Sequence, residues 1–472
     1  MLDWKGLGPY ATLKEAAFPQ MLIFALLTLA GMAVAAIAFF RSSIHPAVVF
    51  CGSWALSLAL IACSGDLFYP IHGLTLLFIL SGAAVFCLFS WSTSIFPAKE
   101  ARPFNVETTN RILTALVWLV VVSTPFYFRW LVNSVSSVGG SSPFLMAARL
   151  LQMQNLGTSE LRFAGALIEI AQIVAVLCLW HKEGHRKRAA IAILFAYALS
   201  LSFGQKAAPF ILTMELLCVD YLQNRRMRKK LVLSLVLCMV MIAGAFEYYV
   251  HLGGKNFQIS NVSRMLGLYL GGGIAGLDQV IKDPSAVPPI NPVYVMGLRA
   301  AKRFGAHVEI PEVAGFVNVG PYQLSGNVYT IFWSYLNFGY VGSILFVGLL
   351  GAAATRVYKR ALNGGQPWVI LYAKMFFAIA FSTFTEYFIS SLYIYGIMLL
   401  AVWLVCFFPV RIDQFLRFCS SRVGADLQQR GVDLPPTPIR ARRPEYARIA
   451  WRNFRDSIQD SVADDLRERG FK

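Results

Sequence analysis

Apolar and polar positions along this chain fall into long blocks, not into the short alternation of strands. Eleven apolar blocks approach or reach the roughly 17 to 25 residues that cross a hydrocarbon layer as a helix, where every backbone polar group is paired within its own segment. They run from Gln20 to Phe40, His45 to Cys63, Gly73 to Thr93, Arg111 to Val132, Phe163 to His181 and Ala189 to Phe203. The others run from Ala207 to Gln223, Leu231 to Val250, Asn327 to Gly351, Trp368 to Thr385 and Ser391 to Pro409. The pattern predicts an all-α polytopic membrane protein over residues 1–410, followed by a basic, amphipathic tail over 411–472.

Composition agrees: 57% of residues are hydrophobic, 14% are charged, and the mean hydropathy is +0.57. A soluble chain of this size is not so apolar. The net charge of +17 sits largely in short loops and in the tail. Cationic short loops stay on the cytoplasmic side, so topology explains the charge and nucleic acid is not needed to account for it. "HKEGHRKR" (His181 to Arg188), "NRRMRKK" (Asn224 to Lys230) and "RVYKR" (Arg356 to Arg360) are read as cytoplasmic loops. The C-terminus then lies in the cytoplasm and the N-terminus outside. The eight cysteines are scattered, without the paired spacing of a disulfide framework or a zinc site. No metal-ligand spacing or nucleotide motif stands out, so neither a metal nor a cofactor is expected.

Two loops on the outer side are long, 133–162 and 251–325. The second has the pattern of a folded cap: an amphipathic helix over Asn261 to Ile281, a proline-rich turn, and a basic helix "VYVMGLRAAKRFGA". In the basic helix Arg299, Lys302 and Arg303 fall at i, i+3 and i+4, hence on one face. Arg in such a cluster suits an anionic group, because its planar fork bonds phosphate through two N–H groups and does not lose its proton. Lys206 and Arg264 add further outer cations, and the set matches a diphosphate. His307, Glu309 and Glu312 follow directly and are candidate bases for a hydroxyl. Inside or near the spans stand Glu169, Glu215, Glu247, Lys374 and Glu386, each costly there unless paired or hydrated.

"GNVYTIFWSYLNFGYVGSILFVGLL", from Gly326 to Leu350, bunches its polar aromatics at one end. A belt of amphipathic rings at headgroup depth accounts for the aromatics but not for Asn327 or Asn337. Asn327, Tyr329, Trp333, Tyr335 and Asn337, with Glu386, are the candidate sugar-binding floor of an outer cavity.

Four stretches together resemble the bacterial oligosaccharide repeat unit polymerases, the Wzy-type O-antigen and exopolysaccharide polymerases. "SFGQKAAPFIL" resembles the family's Gly-x-Arg turn between two short helices, and "YLGGGIAGLDQVI" its Tyr-x-x-Gly-x-Ile-x-x-Leu-Asp segment. "FVNVGPYQLSGNVYTIFWSYLNFGYVGSILF" is similar to its Asn-x-Tyr-Thr run with a following Asp-Phe-Gly-x-x-Gly, and "FSTFTEYFISS" stands at a polar outer turn. Lys206 stands where the family usually has Arg, Asn337 where it often has Asp, and Trp333 near a usual Arg. The resemblance implies a GT-C-like architecture in the bacterial inner membrane with the cap in the periplasm. It implies transfer of a growing glycan from undecaprenyl diphosphate to the non-reducing end of a new lipid-linked repeat unit. Arg and Lys neutralise the departing diphosphate, with Arg299, Arg303, His307 and Glu309 as catalytic candidates. Lipid-linked oligosaccharides, membrane lipid and a chain-length regulator are the implied partners. An O-antigen ligase using the same donor and a lipid-linked glycan flippase are the alternatives.

The loop charges predict which positions an impermeant thiol reagent reaches in intact spheroplasts. Gly254→Cys and Ala286→Cys are expected to react, and Asn363→Cys is not. Labelling of Asn363→Cys with both outer sites silent inverts the topology.

Overall fold

The computed structural model describes residues 18–64, 67–97, 106–138, 148, 159–202, 207–224, 262–283, 292–303, 306–309, 315–321, 325–389 and 392–402. The chain divides into two units, Met1–Val410 and Arg411–Lys472, and all the described residues lie in the first. Among them the helices are α1 (Phe18–Phe40), α2 (Pro46–Cys63), α3 (Gly73–Ile95), α4 (Val106–Val138), α5 (Ser159–Trp180), α6 (Arg186–Leu201) and α7 (Ala207–Asn224). Then come α8 (Val262–Lys282), α9 (Pro292–Arg303), α10 (Ile331–Tyr335), α11 (Gly339–Leu362), α12 (Gln366–Ala380) and α13 (Leu392–Val402). A two-stranded antiparallel ribbon, β1 (Phe316–Asn318) with β2 (Ser325–Asn327), pairs Phe316 with Asn327 and Asn318 with Ser325.

Six stretches among the described residues are long and apolar enough to cross a membrane, ending with Ile331–Leu362, and Pro367–Ala380 is a shorter apolar helix. The result is a helical membrane protein. Its outward face is apolar: Phe24, Leu27 and Phe39 on α1, Trp118 and Phe126 on α4, and Val341 on α11 are exposed. Such side chains are at home against lipid tails and costly against water. Leu231 to Val250, expected as a span, lies outside the described residues.

α11 packs along α3, α2 lies against α1, and α5 to α7 form a neighbouring group that α12 joins to the rest. The core is continuous and aromatic at its centre, where Phe332 meets Trp54 edge-on at 4.9 Å and Phe78 at 5.0 Å. Local chemistry sets several ends. Pro46 opens α2, where its missing N–H costs nothing, and the His45 ring accepts the Ala47 N–H at 3.3 Å. Thr330 caps α10 by accepting the Trp333 N–H.

Two expectations change. The single span from Asn327 to Gly351 is broken: Asn327 ends β2, α10 makes just over one turn, a 3-10 turn covers Leu336–Phe338, and α11 starts at Gly339. Gly339 has φ +74, a conformation open to glycine and strained for other residues, so the chain changes direction there. "RVYKR" is not a loop but the last turns of α11, and the connection to α12 is only 363–365. Cations there compensate the partial negative charge of a helix C-terminus. Lys359 also reaches the carbonyls of Ser94 and Phe96 at the end of α3, and Arg360 lies 4.2 Å over the Trp368 ring. The helix expected over Asn261 to Ile281 is α8, and the basic helix is α9.

α8 lies against α2 and the ribbon. At Gly273 its backbone comes so near the Thr383 carbonyl that a Cβ would overlap the oxygen. Gly273→Ala is therefore expected to lower stability by about 1 to 3 kcal/mol, as overpacking does. Gly297→Ala on α9, where nothing among the described residues lies within 4 Å, is expected to gain up to about 1 kcal/mol from helix propensity. Thermal unfolding of the two variants in detergent checks the contrast.

Candidate functional site

The chain from Phe381 to Ile389, between α12 and α13, is not regular helix. Its backbone is held by its neighbours. The Ser382 carbonyl accepts the Ile331 N–H at 3.0 Å, and the Glu386 N–H donates to the Tyr329 carbonyl at 2.9 Å. From α2, Trp54 Nε1 donates to Ser382 Oγ at 3.0 Å and Ser57 Oγ to Thr383 Oγ1 at 3.2 Å. α8 closes the same place at Gly273. This end of the bundle, the cap end, gathers α2, α8, the ribbon, α10 and 381–389 into one site.

Glu386 is its central charge, with only 3% of its surface exposed. Its Oε1 accepts three hydrogen bonds: from the Tyr335 hydroxyl at 2.9 Å and from the N–H groups of Phe388 and Ile389 at 2.7 and 2.8 Å. Donors of this kind stabilise an ionised carboxylate and fix its orientation. Tyr335, fully buried, packs its ring against that of Phe346, tilted at 37° with centroids 4.2 Å apart. Trp333 is 2% exposed, and its indole N–H has no hydrogen-bond partner among the described residues. Beside it Tyr329, half-buried, lies edge-on at 5.4 Å and accepts the Gly315 N–H on its hydroxyl at 3.0 Å. Burial pushes the Tyr329 phenol up, against the Gly315 bond that lowers it, so the hydroxyl keeps its proton at neutral pH.

A second buried carboxylate organises the approach. Asp278 on α8, fully buried, accepts the His72 N–H at 2.8 Å and the Thr75 hydroxyl at 2.7 Å through Oδ1. Lys282 pairs with its other oxygen at 2.6 Å. His72 is the N-cap residue of α3 but makes no side-chain cap of its own. Asp278 supplies that cap from another helix and places negative charge at the positive end of α3.

The structure therefore joins Tyr329, Trp333, Tyr335 and Glu386. It does not bring all six expected sugar-binding residues onto one open floor. Asn337 is exposed in the 3-10 turn, while every residue of α10 is buried, because that turn of helix is enclosed by the core on all sides. Tyr335 thus supports Glu386 and presents no ring face. Asn327 pairs within the ribbon opposite Phe316. Arg264 stands in the first turn of α8, and Arg299 and Arg303 stand near the end of α9 with Lys302, which is exposed. His307 and Glu309 are exposed. Lys206 and Glu312 lie outside the described residues. Sequence reasoning missed Trp54, Ser57, Ser382 and Thr383, and gave Asp278 no part in the fold. For Asp278 a signal existed, since it shares a helical face with Ile274 and Ile281, where a carboxylate needs a buried partner.

Three of the four stretches that carry the family resemblance meet here: "YLGGGIAGLDQVI" through Gly273, "GNVYTIFWSYLNFGY" through Tyr329 and Ile331, and "FSTFTEYFISS" through Ser382 and Glu386. The fourth, "SFGQKAAPFIL", reaches the same segment through Phe210, whose ring is 4.8 Å from Phe381.

Removing the α3 cap is expected to be costly. Asp278→Ala leaves the His72 N–H and the buried Thr75 hydroxyl without their acceptor, a loss of about 1 to 3 kcal/mol. Lys282→Met removes a partly exposed ammonium but keeps both hydrogen bonds to Oδ1, and is expected to cost less than Asp278→Ala. Unfolding midpoints in detergent compare the two. Searches against protein-family models, curated proteins and solved structures return no match to this chain.

Proposed function

We propose that this protein is a glycosyltransferase that polymerises lipid-linked oligosaccharide repeat units. In this reading eleven spans hold it in a bacterial inner membrane, with the cap end in the periplasm. The growing glycan leaves undecaprenyl diphosphate and joins the non-reducing end of a new undecaprenyl-diphosphate-linked unit. One observation carries the reading: sequence stretches far apart in the chain, each resembling a segment of the polymerase family, converge on one segment, Phe381 to Ile389, which carries the buried Glu386.

The roles follow from chemistry. Lys206, Arg264, Arg299, Lys302 and Arg303 neutralise the diphosphate, whose departure is eased as its charge is met. The acceptor hydroxyl gives its proton to His307 or Glu309 as it attacks the anomeric carbon. Glu386, held by Tyr335 and two backbone N–H groups, orients sugar hydroxyls as a hydrogen-bond acceptor, with Tyr329 and Trp333 beside it. A chain-length regulator is the protein partner of such an enzyme.

Arg299→Ala and Arg303→Ala are each expected to lower long-chain polymer at least about 10-fold, the scale of losing a charged hydrogen bond, with protein level unchanged. The corresponding Arg→Lys variants rescue only in part, because the paired contact is lost. The readout is glycan length on gels from a complemented deletion strain. Single capped repeats in the deletion strain support a polymerase. Unligated polymer would mean a ligase, and no glycan outside would mean a flippase. Normal polymer from both Arg→Ala variants would remove the diphosphate clamp.

A further inference from the structure

A cluster of ionisable side chains lies inside the bundle, apart from the contacts described above. Lys374 on α12 lies 2.8 Å from Glu215 Oε1 on α7 and 3.1 Å from Glu169 Oε2 on α5. The side chains are 9% (Lys374), 4% (Glu215) and 16% (Glu169) exposed. The charges do not balance, with one ammonium against two carboxylates. A buried, uncompensated charge is costly, and an ionisable group in that position takes up or releases a proton instead. Among the described residues no second cation pairs with the cluster. The other titratable groups facing it are Cys218, three residues along α7 from Glu215, and Tyr395 on α13, which also faces Glu386. Both are neutral while protonated, so neither supplies the missing charge.

Hydrogen bonding separates the two carboxylates. Lys374 donates a well-aligned bond to Glu169 Oε2. Glu215 Oε1 lies nearer to Lys374, at 2.8 Å, but off the line of a good hydrogen bond, and its side chain is the more deeply buried of the two, 4% against 16% exposed. The deeper carboxylate is the costlier of the two to ionise, so the extra proton falls to Glu215.

We infer that Glu169, Glu215 and Lys374 form a proton-binding site within the membrane, which at neutral pH holds one proton beyond the ammonium, carried on Glu215. The filled site is electrically neutral and ties α5, α7 and α12 together. α12 runs directly into Ser382, Thr383 and Glu386, so loss of this proton strains the support of the cap-end site. The inference concerns charge balance and does not depend on the reaction assigned to the protein.

Infrared spectroscopy of the full-length protein in lipid nanodiscs tests it. The carbonyl-stretch band of a protonated carboxyl is expected at pH 7. It should vanish in Glu215→Gln and also in Glu169→Gln, where Glu215 becomes the sole ion partner of Lys374 and gives up its proton. Both single variants keep one carboxylate for one ammonium and are expected to fold, as gel filtration and circular dichroism report. Glu386→Gln and Asp278→Asn should leave the band in place. A wild-type pH titration, which needs no variant, should show the unfolding temperature fall as the pH rises above the ordinary carboxylate range and level off where the band disappears. A wild-type spectrum without the band, a band that survives either Glu→Gln substitution at the cluster, or an unfolding temperature that does not fall over the pH range below the loss of the band would overturn the site.

Discussion

Irregular backbone at the end of an apolar bundle must find hydrogen-bond partners inside the protein, and the segment from Phe381 to Ile389 is where that constraint acts. In a helix each N–H and C=O is paired within its own segment; here that pairing is given up. The replacements come from far along the chain. Trp54 and Ser57 reach in from α2, Tyr329 and Ile331 pair with it through their backbones, and Glu386 turns its carboxylate onto the N–H groups of Phe388 and Ile389. α8 approaches the same segment at Gly273, where no side chain could fit. The candidate site exists because a break in regular structure was filled with polar groups that point inward.

The opposite end of the bundle meets a milder form of the same demand. Arg188, read from sequence as one more topogenic cation, is buried. Its guanidinium binds the Asn110 carbonyl at 2.8 Å, the Asn110 side chain at 2.7 Å and the His181 carbonyl at 3.2 Å, tying α4, α5 and α6. Gln223 on α7 donates to the last carbonyls of α5, and Lys182 pairs with Asp220 at 3.1 Å. Cations at helix C-termini are favourable by dipole and by hydrogen bond, so a charge that sets topology can also hold helices together. The Tyr358 hydroxyl on Ser42 and the Tyr372 hydroxyl on the Ile44 carbonyl fasten the α1–α2 connection in the same region.

Charge inside the bundle is handled by pairing. Asp278 is met by two donors and Lys282, Glu386 by three donors, and Lys374 by two glutamates. Such groups are poor sources of net stability, since a well-packed apolar core does as well, but each has strict requirements for its partners. Their placement therefore specifies which helices lie together. At the cap end the same strictness gives Glu386 one orientation.

Run length and periodicity are local properties, and the elements that depend on them were legible in the sequence. These are the long apolar helices, the amphipathic α8, the basic α9 and the cost of Lys374 or Glu386 at membrane depth. What depends on chain segments far apart was not legible. The sequence from Asn327 to Gly351 is apolar enough for one helix, yet Gly339 takes a positive φ and the chain divides into β2, α10 and α11. Trp333 and Tyr335 look like a belt or a binding floor when read along the chain. Only the packing of α10 within the core decides that Tyr335 serves Glu386 and that both rings lie below the surface. Asp278 is a solitary carboxylate in the sequence and the cap of α3 in the fold. Hydrophobic pattern sets where a helix runs, but the partner of a buried polar group is chosen by whatever tertiary packing brings within about 3 Å of it.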